Sequence, residues 1–452
     1  MPSSRALAED LGFARATVVE VYAQLQAEGY LVSRPGSGTW VAKLQLPSTP
    51  SVPKAEQRRM PRFDFDPGLP DLTAFPRAAW ARALRRGIRD APAATLGFGD
   101  ARGRDELREL LATYLTRARG VVADPSLIAV CAGTNHALAL IGKALMRRGV
   151  SRIAMEDPCL SLHRSVLANV GLDVVPLPVD DHGACTHLLD GLEVGAVVLA
   201  PAHQFPMGVQ LRPERRTAAI DWARRSNALV IEDDYDAELR YDRAPIGTLQ
   251  ALDPDRVAYV GTVSKTLSPG LRLGWMVLPP SLLREVGDLR KLEDMHNPVT
   301  EQIAFCELMR SGDYERHLRR MRSRYRTRRD RLLTVLASLT PLLRPLGISA
   351  GLRILLELPA GARSSIDIAR SALDESLSLF SVVNCYHGAR LPQGTPDGFV
   401  IGYAALAEHD FDSAIDTLAE FLAEAVPRSP HPGLRARGPR VIGEARRLAA
   451  AD

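Results

Sequence analysis

The residues of this chain best suited to covalent chemistry lie in Gly261-Thr262-Val263-Ser264-Lys265-Thr266-Leu267-Ser268-Pro269-Gly270-Leu271-Arg272. Lys265 follows an apolar, strand-like run directly and is flanked by small hydroxyl residues. A lone Ser-Lys pair is most simply a solvated loop lysine. Here Arg272 follows within an apolar stretch, where a guanidinium needs an anionic partner. A cofactor carrying both an aldehyde and a phosphate accounts for the two charges together. The Lys265 amine forms an imine with the aldehyde, and Arg272 with the Ser264 hydroxyl grips the phosphate.

A second segment, Val230-Ile231-Glu232-Asp233-Asp234-Tyr235-Asp236, puts several acids at the carboxyl end of another strand-like run. In open α/β sheets ligands sit at that edge. A carboxylate facing a pyridine nitrogen keeps it protonated and makes the ring an electron sink. Asp233 is assigned to the nitrogen, with Asp234 as its competitor, and Tyr235 to the ring's phenolic oxygen. A phosphorylated pyridine aldehyde of this kind is pyridoxal 5′-phosphate.

Gly133-Thr134-Asn135-His136, between a strand and a helix, offers backbone N–H groups to a phosphate. Alone it is also an ordinary helix cap. Beside Arg272, Thr134 and Asn135 become the second half of a phosphate cup. His203, in Pro201-Ala202-His203-Gln204-Phe205-Pro206, either lines the ring's edge or is a structural histidine with its polar atoms satisfied.

Elements that could position these groups follow from apolar patterning. Leu127–Cys131, Ile153–Met155, Val174–Leu177, Gly195–Ala200, Ala228–Glu232 and Val257–Gly261 read as short buried strands. Asn135–Arg147, Leu160–Asn169 and Pro213–Ser226 read as helices between them. Such alternation predicts an α/β domain with a parallel or mixed sheet covered on both faces. Glu301–Leu336 reads as one long arginine-rich helical stretch. Leu352–Leu358, Gly398–Tyr403 and Phe411–Val426 suggest a smaller α+β lobe.

Residues 1–43 form a separate pattern. Ser3 caps a short helix ending at Gly12, a second helix runs from Ala14 to Gly29, and two β-prone runs flank Arg34-Pro35-Gly36-Ser37-Gly38. That is the layout of a winged helix-turn-helix. Residues 44–62 have the proline-rich composition of a linker. Residues 63–426 make up the cofactor domain, and 427–452 a basic tail with one last helix, Val441–Ala450.

Bulk properties narrow the class. With 46% hydrophobic and 24% charged residues the chain has the balance of a soluble globular protein. Its five cysteines form no CxxC pair and no metal-ligand spacing, so no metal is expected, and they read as small core residues in a reducing compartment. The absence of a signal pattern or an 18-residue apolar run predicts a cytoplasmic protein with no membrane partner.

Together these segments resemble the MocR/GabR branch of GntR-type bacterial regulators, in which a winged helix-turn-helix is fused to a fold-type I aminotransferase-like domain. Pro2-Ser3-Ser4-Arg5-x-Leu7-Ala8, Arg15-Ala16-Thr17-Val18 and Arg34-x-Gly36-Ser37-Gly38-Thr39 look like the DNA-binding module. Pro67-Gly68-Leu69-Pro70-Asp71, Gly97-Phe98-Gly99-Asp100, His203-Gln204-Phe205-Pro206-x-Gly208, Glu232-Asp233-Asp234-Tyr235-Asp236 and Ser264-Lys265 through Arg272 look like the effector domain. The likeness runs from Pro2 to about Ala425. It implies Lys265 as the Schiff-base lysine, Asp233 and Tyr235 as ring partners, and Ser264 and Arg272 as phosphate ligands. It also implies that Arg5, Arg15 and Thr17 contact DNA while the wing at Gly36 meets the adjacent groove.

The chain departs from the family at several points. It starts where the family's first helix has already ended, so Val18, Tyr22 and Leu25 are expected to lack part of their apolar cover. Phe98 stands where relatives often carry a tyrosine able to reach a phosphate across a dimer, and Leu160 where they carry one in Glu-Asp-Pro-x-Tyr. Phe399-Val400-Ile401-Gly402-Tyr403 lacks the arginine with which aminotransferases clamp a substrate carboxylate, and Arg353 is a candidate substitute. The resulting expectation is a homodimeric, DNA-binding regulator that senses pyridoxal phosphate or an amino compound at Lys265. The alternative is a catalytically active aminotransferase.

Overall fold

The computed structural model describes residues 1–43, 61–241, 246–340, 342–347 and 350–426. Most of the 44–62 linker, the 427–452 tail and its helix at Val441–Ala450 lie outside the described residues. The chain divides into two compact units, Met1–Arg59 and Met60–Asp452.

In the first unit, Ser3 Oγ accepts from Ala6 N at 3.2 Å to start the helix Ser4–Leu11, and Gly12 ends it in the left-handed region. The helix Arg15–Ala27 follows. Strands Leu31–Arg34 and Gly38–Val41 pair antiparallel around a turn closed by Ser37 N to Arg34 O, with Gly36 at φ 76°. Helix, turn, helix and wing are all formed. Val18 is buried and Tyr22 and Leu25 are half-buried, while Leu11, Phe13, Val19, Val21, Val32, Trp40 and Val41 remain exposed.

The second unit is built on an eight-stranded mixed sheet. Its spatial order is Ile128–Cys131, Gly274–Val277, Val257–Thr262, Leu229–Asp234, Ala196–Leu199, Arg152–Asp157, Asp173–Asp180 and Gly183–Ala184. Gly274–Val277 is antiparallel to both neighbours, and Gly183–Ala184 closes a hairpin on Asp173–Asp180. The other adjacent pairs are parallel.

Alternate residues serve opposite cores. Val198, Ile231, Ala258 and Met276 pack on one face with Leu138, Ile141 and Leu145 of the helix Thr134–Arg147. Val197 and Val230 face Ile220 and Trp222 of Pro213–Arg225, and Tyr259 and Trp275 face Leu111, Leu115 and Phe305. Burial on both faces is why these strands read as unbroken apolar runs.

The smaller lobe has a four-stranded sheet ordered Arg344–Leu346, Arg353–Glu357, Gly398–Gly402, Phe380–Ser381. It packs on Phe411–Ala425 and on the far half of Asp313–Leu336. The stretch expected as one helix from Glu301 to Leu336 is two, Val299–Arg310 and Asp313–Leu336, because Gly312 adopts φ 69° between them. Helices Arg77–Asp90 and Asp105–Arg119 and the strand Gly274–Val277 are absent from the sequence reading. All five cysteines are buried and unpaired, and no helix among the described residues is long and apolar enough to cross a membrane.

Candidate functional site

The sheet brings the predicted residues to one edge for a topological reason. Parallel strands Leu229–Asp234 and Val257–Thr262 end there, so Asp233 and Lys265 emerge on the same side, and Ile128–Cys131 delivers Gly133 to it. Gly274–Val277 runs the other way and therefore begins where its neighbours end, which carries Arg272 to that edge too.

Lys265 is half-buried, and its Nζ donates to Gly68 O at 2.5 Å. Burial lowers its pKa and the Arg353 charge lowers it further, against opposing contributions from Asp236, Asp66 and Asp233. More of its amine is thereby kept in the neutral, nucleophilic form.

Asp233 and Asp234 point to opposite faces, as successive strand residues must. Asp234 Oδ2 accepts from Arg119 Nε at 2.8 Å and Tyr259 Oη at 2.7 Å, so its charge is already matched. Asp233 Oδ2 lies 3.6 Å from His163 Nδ1, and Asp233 Oδ1 is buried without a hydrogen-bond partner. Burial, then repulsion from Asp234 and Asp236, pushes the Asp233 carboxyl up to about 7. An orphaned acid oxygen at that depth suits a protonated ring nitrogen.

His163 is missed by the sequence reading. It sits in the first turn of the helix Ser161–Asn169, which starts past the carboxyl end of Arg152–Asp157. Burial and the Lys265 charge bring its pKa down to about 4, so it is neutral near pH 7. The available signal was its position after a strand end, three residues beyond Leu160.

The opposite side of the edge forms a cradle for an anion. Gly133 holds φ 92°, starts the helix Thr134–Arg147, and provides no side-chain cap. A Cβ at Gly133 would stand 3.7 Å from Arg272 Nη1, 3.7 Å from Thr262 Oγ1 and 3.8 Å from Ser264 Oγ. Those three groups therefore surround one small volume before the helix start, with Thr134 and Asn135 as its first residues. Thr262, also missed, bonds Ser264 Oγ at 2.9 Å. The Arg272 side chain has no ion pair or hydrogen bond among the described residues, and its backbone, at φ 47°, is tied by Asn297 Nδ2 to Arg272 O at 3.0 Å. An unmatched guanidinium beside free helix-start N–H groups fits a phosphate.

Tyr235 and His203 both have protein hydrogen-bond partners. The Tyr235 hydroxyl donates to His203 O at 2.6 Å and accepts from Arg353. His203 is buried with Nδ1 2.8 Å from Asp236 Oδ2. In the first unit, Arg5, Arg15, Thr17 and Gly36 are all exposed.

This combination of mixed sheet, edge lysine and anion cradle defines the class. Residues 69–376 match the family described as aminotransferase class I and II, a pyridoxal 5′-phosphate-dependent class. The kynurenine aminotransferase of Pyrococcus horikoshii, solved in complex with PMP, superposes with a TM-score of 0.72 and 25% identity, covering 81% of this chain and 92% of that one. Residues 1–41 match the bacterial regulatory proteins of the gntR family. Two regulators are similar over nearly the whole length. The uncharacterized HTH-type transcriptional regulator YhdI of Bacillus subtilis is 33% identical, over 92% of this chain and 90% of its own. The pyridoxine biosynthesis transcriptional regulator PdxR of Corynebacterium glutamicum is 31% identical, over 94% and 91%. The chain belongs to the MocR/GabR-type HTH transcriptional regulators, which join a GntR helix-turn-helix to an aminotransferase-like domain.

Proposed function

We propose that this regulator binds double-stranded operator DNA through residues 1–43 and senses pyridoxal phosphate, or an amino compound, in the pocket around Lys265. The observation that carries the reading is the orphaned Asp233 oxygen and unmatched Arg272 guanidinium on the same sheet edge as a half-buried, pKa-lowered lysine. When bound, pyridoxal phosphate supplies an aldehyde that condenses with a primary amine. Lys265 would provide that amine, Asp233 would hold the ring nitrogen's proton, and Arg272, Ser264, Thr262 and the Thr134–Asn135 helix start would hold the phosphate. Tyr235 stays the candidate for the phenolic oxygen, its hydroxyl lying in the same pocket. A second primary amine is the kind of small molecule that competes with Lys265 there, and its differential affinity for two arrangements of the dimer would bias DNA binding.

Turnover as an aminotransferase is the less favoured reading. Val400, in the strand where aminotransferases carry the carboxylate-clamping arginine, is buried and apolar. A homodimer in the cytoplasm is part of the proposal; for the dimer, Phe98, 85% exposed, is apolar surface that a second copy would cover.

The test is a DNA-binding titration on the regulator's own promoter fragment, with and without pyridoxal phosphate and added amines. Wild type is expected to respond and Lys265→Ala to be indifferent. Steady keto-acid production over many turnovers, with DNA binding unaffected by cofactor, would overturn the proposal in favour of the enzyme.

A further inference from the structure

Arg353 is a buried cation that enters the Lys265 pocket from the smaller lobe. It opens the strand Arg353–Glu357, two residues after Gly351. Gly351 holds φ 75°, and a Cβ there would lie 2.4 Å from His203 Cε1 and 2.7 Å from Asp236 Oδ2. Only glycine lets the lobe dock this closely, and that docking aims Arg353 at Tyr235.

The guanidinium is positioned but under-neutralised. Its guanidinium carbon lies over two rings, 4.5 Å from the Phe205 centroid and 5.1 Å from that of Tyr235. Its one side-chain hydrogen bond among the described residues goes to the neutral Tyr235 hydroxyl. The carboxylate nearest to it, Asp236 Oδ2, is 3.7 Å away and already engaged by His203 at 2.8 Å. A guanidinium carries five donors in a planar fork, and a buried one with a single neutral bond calls for a planar anion. Burial prevents water from screening it.

Lys265 shares the pocket closely enough that the Arg353 charge is the second cause of its lowered pKa. The strand Gly398–Gly402, in the stretch that lacks the family's clamping arginine, pairs directly with Arg353–Glu357. Arg353 stands on the neighbouring strand, with its guanidinium carbon over the Phe205 and Tyr235 rings.

We infer that Arg353 is the specificity-determining residue of this pocket and selects effectors carrying a carboxylate, so that the amino compound sensed is an amino acid and not a simple amine. The inference rests on the pyridoxal phosphate reading of Lys265.

The test uses the full-length protein loaded with pyridoxal phosphate and follows the cofactor's visible band during titration. The probes are L-alanine, β-alanine and 4-aminobutanoate, set against ethylamine and propylamine, which lack the acid. Wild type is expected to respond to at least one acid at a tenfold or lower concentration than to either amine. In Arg353→Gln this preference, taken as the ratio of the acid and amine midpoints within the same variant, falls to about threefold or less. Arg353→Lys, which keeps the charge but loses the planar fork, retains an intermediate preference and covers the case in which the glutamine variant fails to fold. A wild-type protein that answers amines as readily as acids, or a lysine or glutamine variant with undiminished preference, overturns the inference and leaves the Lys265 reading intact. Absence of any visible band in the wild type overturns both.

Discussion

His163 holds Nδ1 3.6 Å from Asp233 Oδ2 at the carboxyl end of the central sheet, with both side chains buried. With the histidine at about 4 and the acid at about 7, the imidazole is neutral near pH 7 and the carboxyl is only partly ionised. A protonated pyridine nitrogen would hold the Asp233 carboxylate ionised, as an opposite charge does for any buried acid. Asp233→Asn removes that charge and keeps the shape. Its expected effect is a 10- to 100-fold weaker hold on pyridoxal phosphate, on the order of a charged hydrogen bond. Equilibrium dialysis measures it, and an unchanged Kd removes Asp233 from the role.

The anion cradle has a separable signature. Arg272→Ala deletes the unmatched guanidinium, and Gly133→Ala puts a methyl in the volume that Arg272, Thr262 and Ser264 surround. At φ 92° the alanine also strains the backbone by about 1–3 kcal/mol. Both variants should lose at least tenfold of the preference for pyridoxal phosphate over unphosphorylated pyridoxal. If the two vitamers lose affinity equally, the cradle does not bind the phosphate.

Much of this site was legible in sequence because it consists of charges where apolar residues were expected. Lys265 and Arg272 stood out for that reason, and the buried strands declared themselves by lacking alternation. Which of Asp233 and Asp234 faces the pocket was not legible, since alternation fixes opposite faces without saying which is which. The partners decide it, and Arg119 lies 115 residues from Asp234. His203 was ambiguous for the same reason, its partner Asp236 being 33 residues distant. Gly274–Val277 escaped notice because four residues beside a glycine-rich loop carry too little pattern. The break at Gly312 did have a signal, the poor helix formers Ser311-Gly312-Asp313, but an isolated glycine inside a helical pattern does not by itself end a helix. His163 was passed over because its first-turn position acquires meaning only when the strand ends are assembled.

Glu156 gives a prediction about stability. It is buried on Arg152–Asp157, and burial pushes its carboxyl up to about 8, above the usual 4.5. The folded state therefore binds a proton that the unfolded chain releases between pH 4.5 and about 8. This group's full contribution is present below pH 4.5 and is lost as pH rises through that window. The loss approaches about 1.4 kcal/mol per pH unit. Glu156→Gln, neutral throughout, should unfold at higher urea than wild type at pH 8 and show little advantage at pH 5. An advantage independent of pH would mean that Glu156 is ionised in the native protein.

The DNA-binding prediction turns on how the exposed cations of the first unit are used. Arg5 lies in the helix Ser4–Leu11, and Arg15 begins the helix Arg15–Ala27. Neither has an ion-pair or side-chain hydrogen-bond partner among the described residues, so each can meet a phosphate without first breaking an internal contact. A phosphate contact releases condensed counterions, which makes binding fall with salt by a slope of about 0.9 per contact. Arg5→Ala and Arg15→Ala should each weaken binding on specific and unrelated DNA alike and flatten the log Kd against log salt plot by about one. Thr17→Ala, if Thr17 reads a base, should leave the slope unchanged and reduce the ratio of specific to nonspecific affinity. Fluorescence anisotropy across a salt series separates the two patterns. Arginine variants that keep the full slope would show that this face of the module does not lie on the DNA backbone.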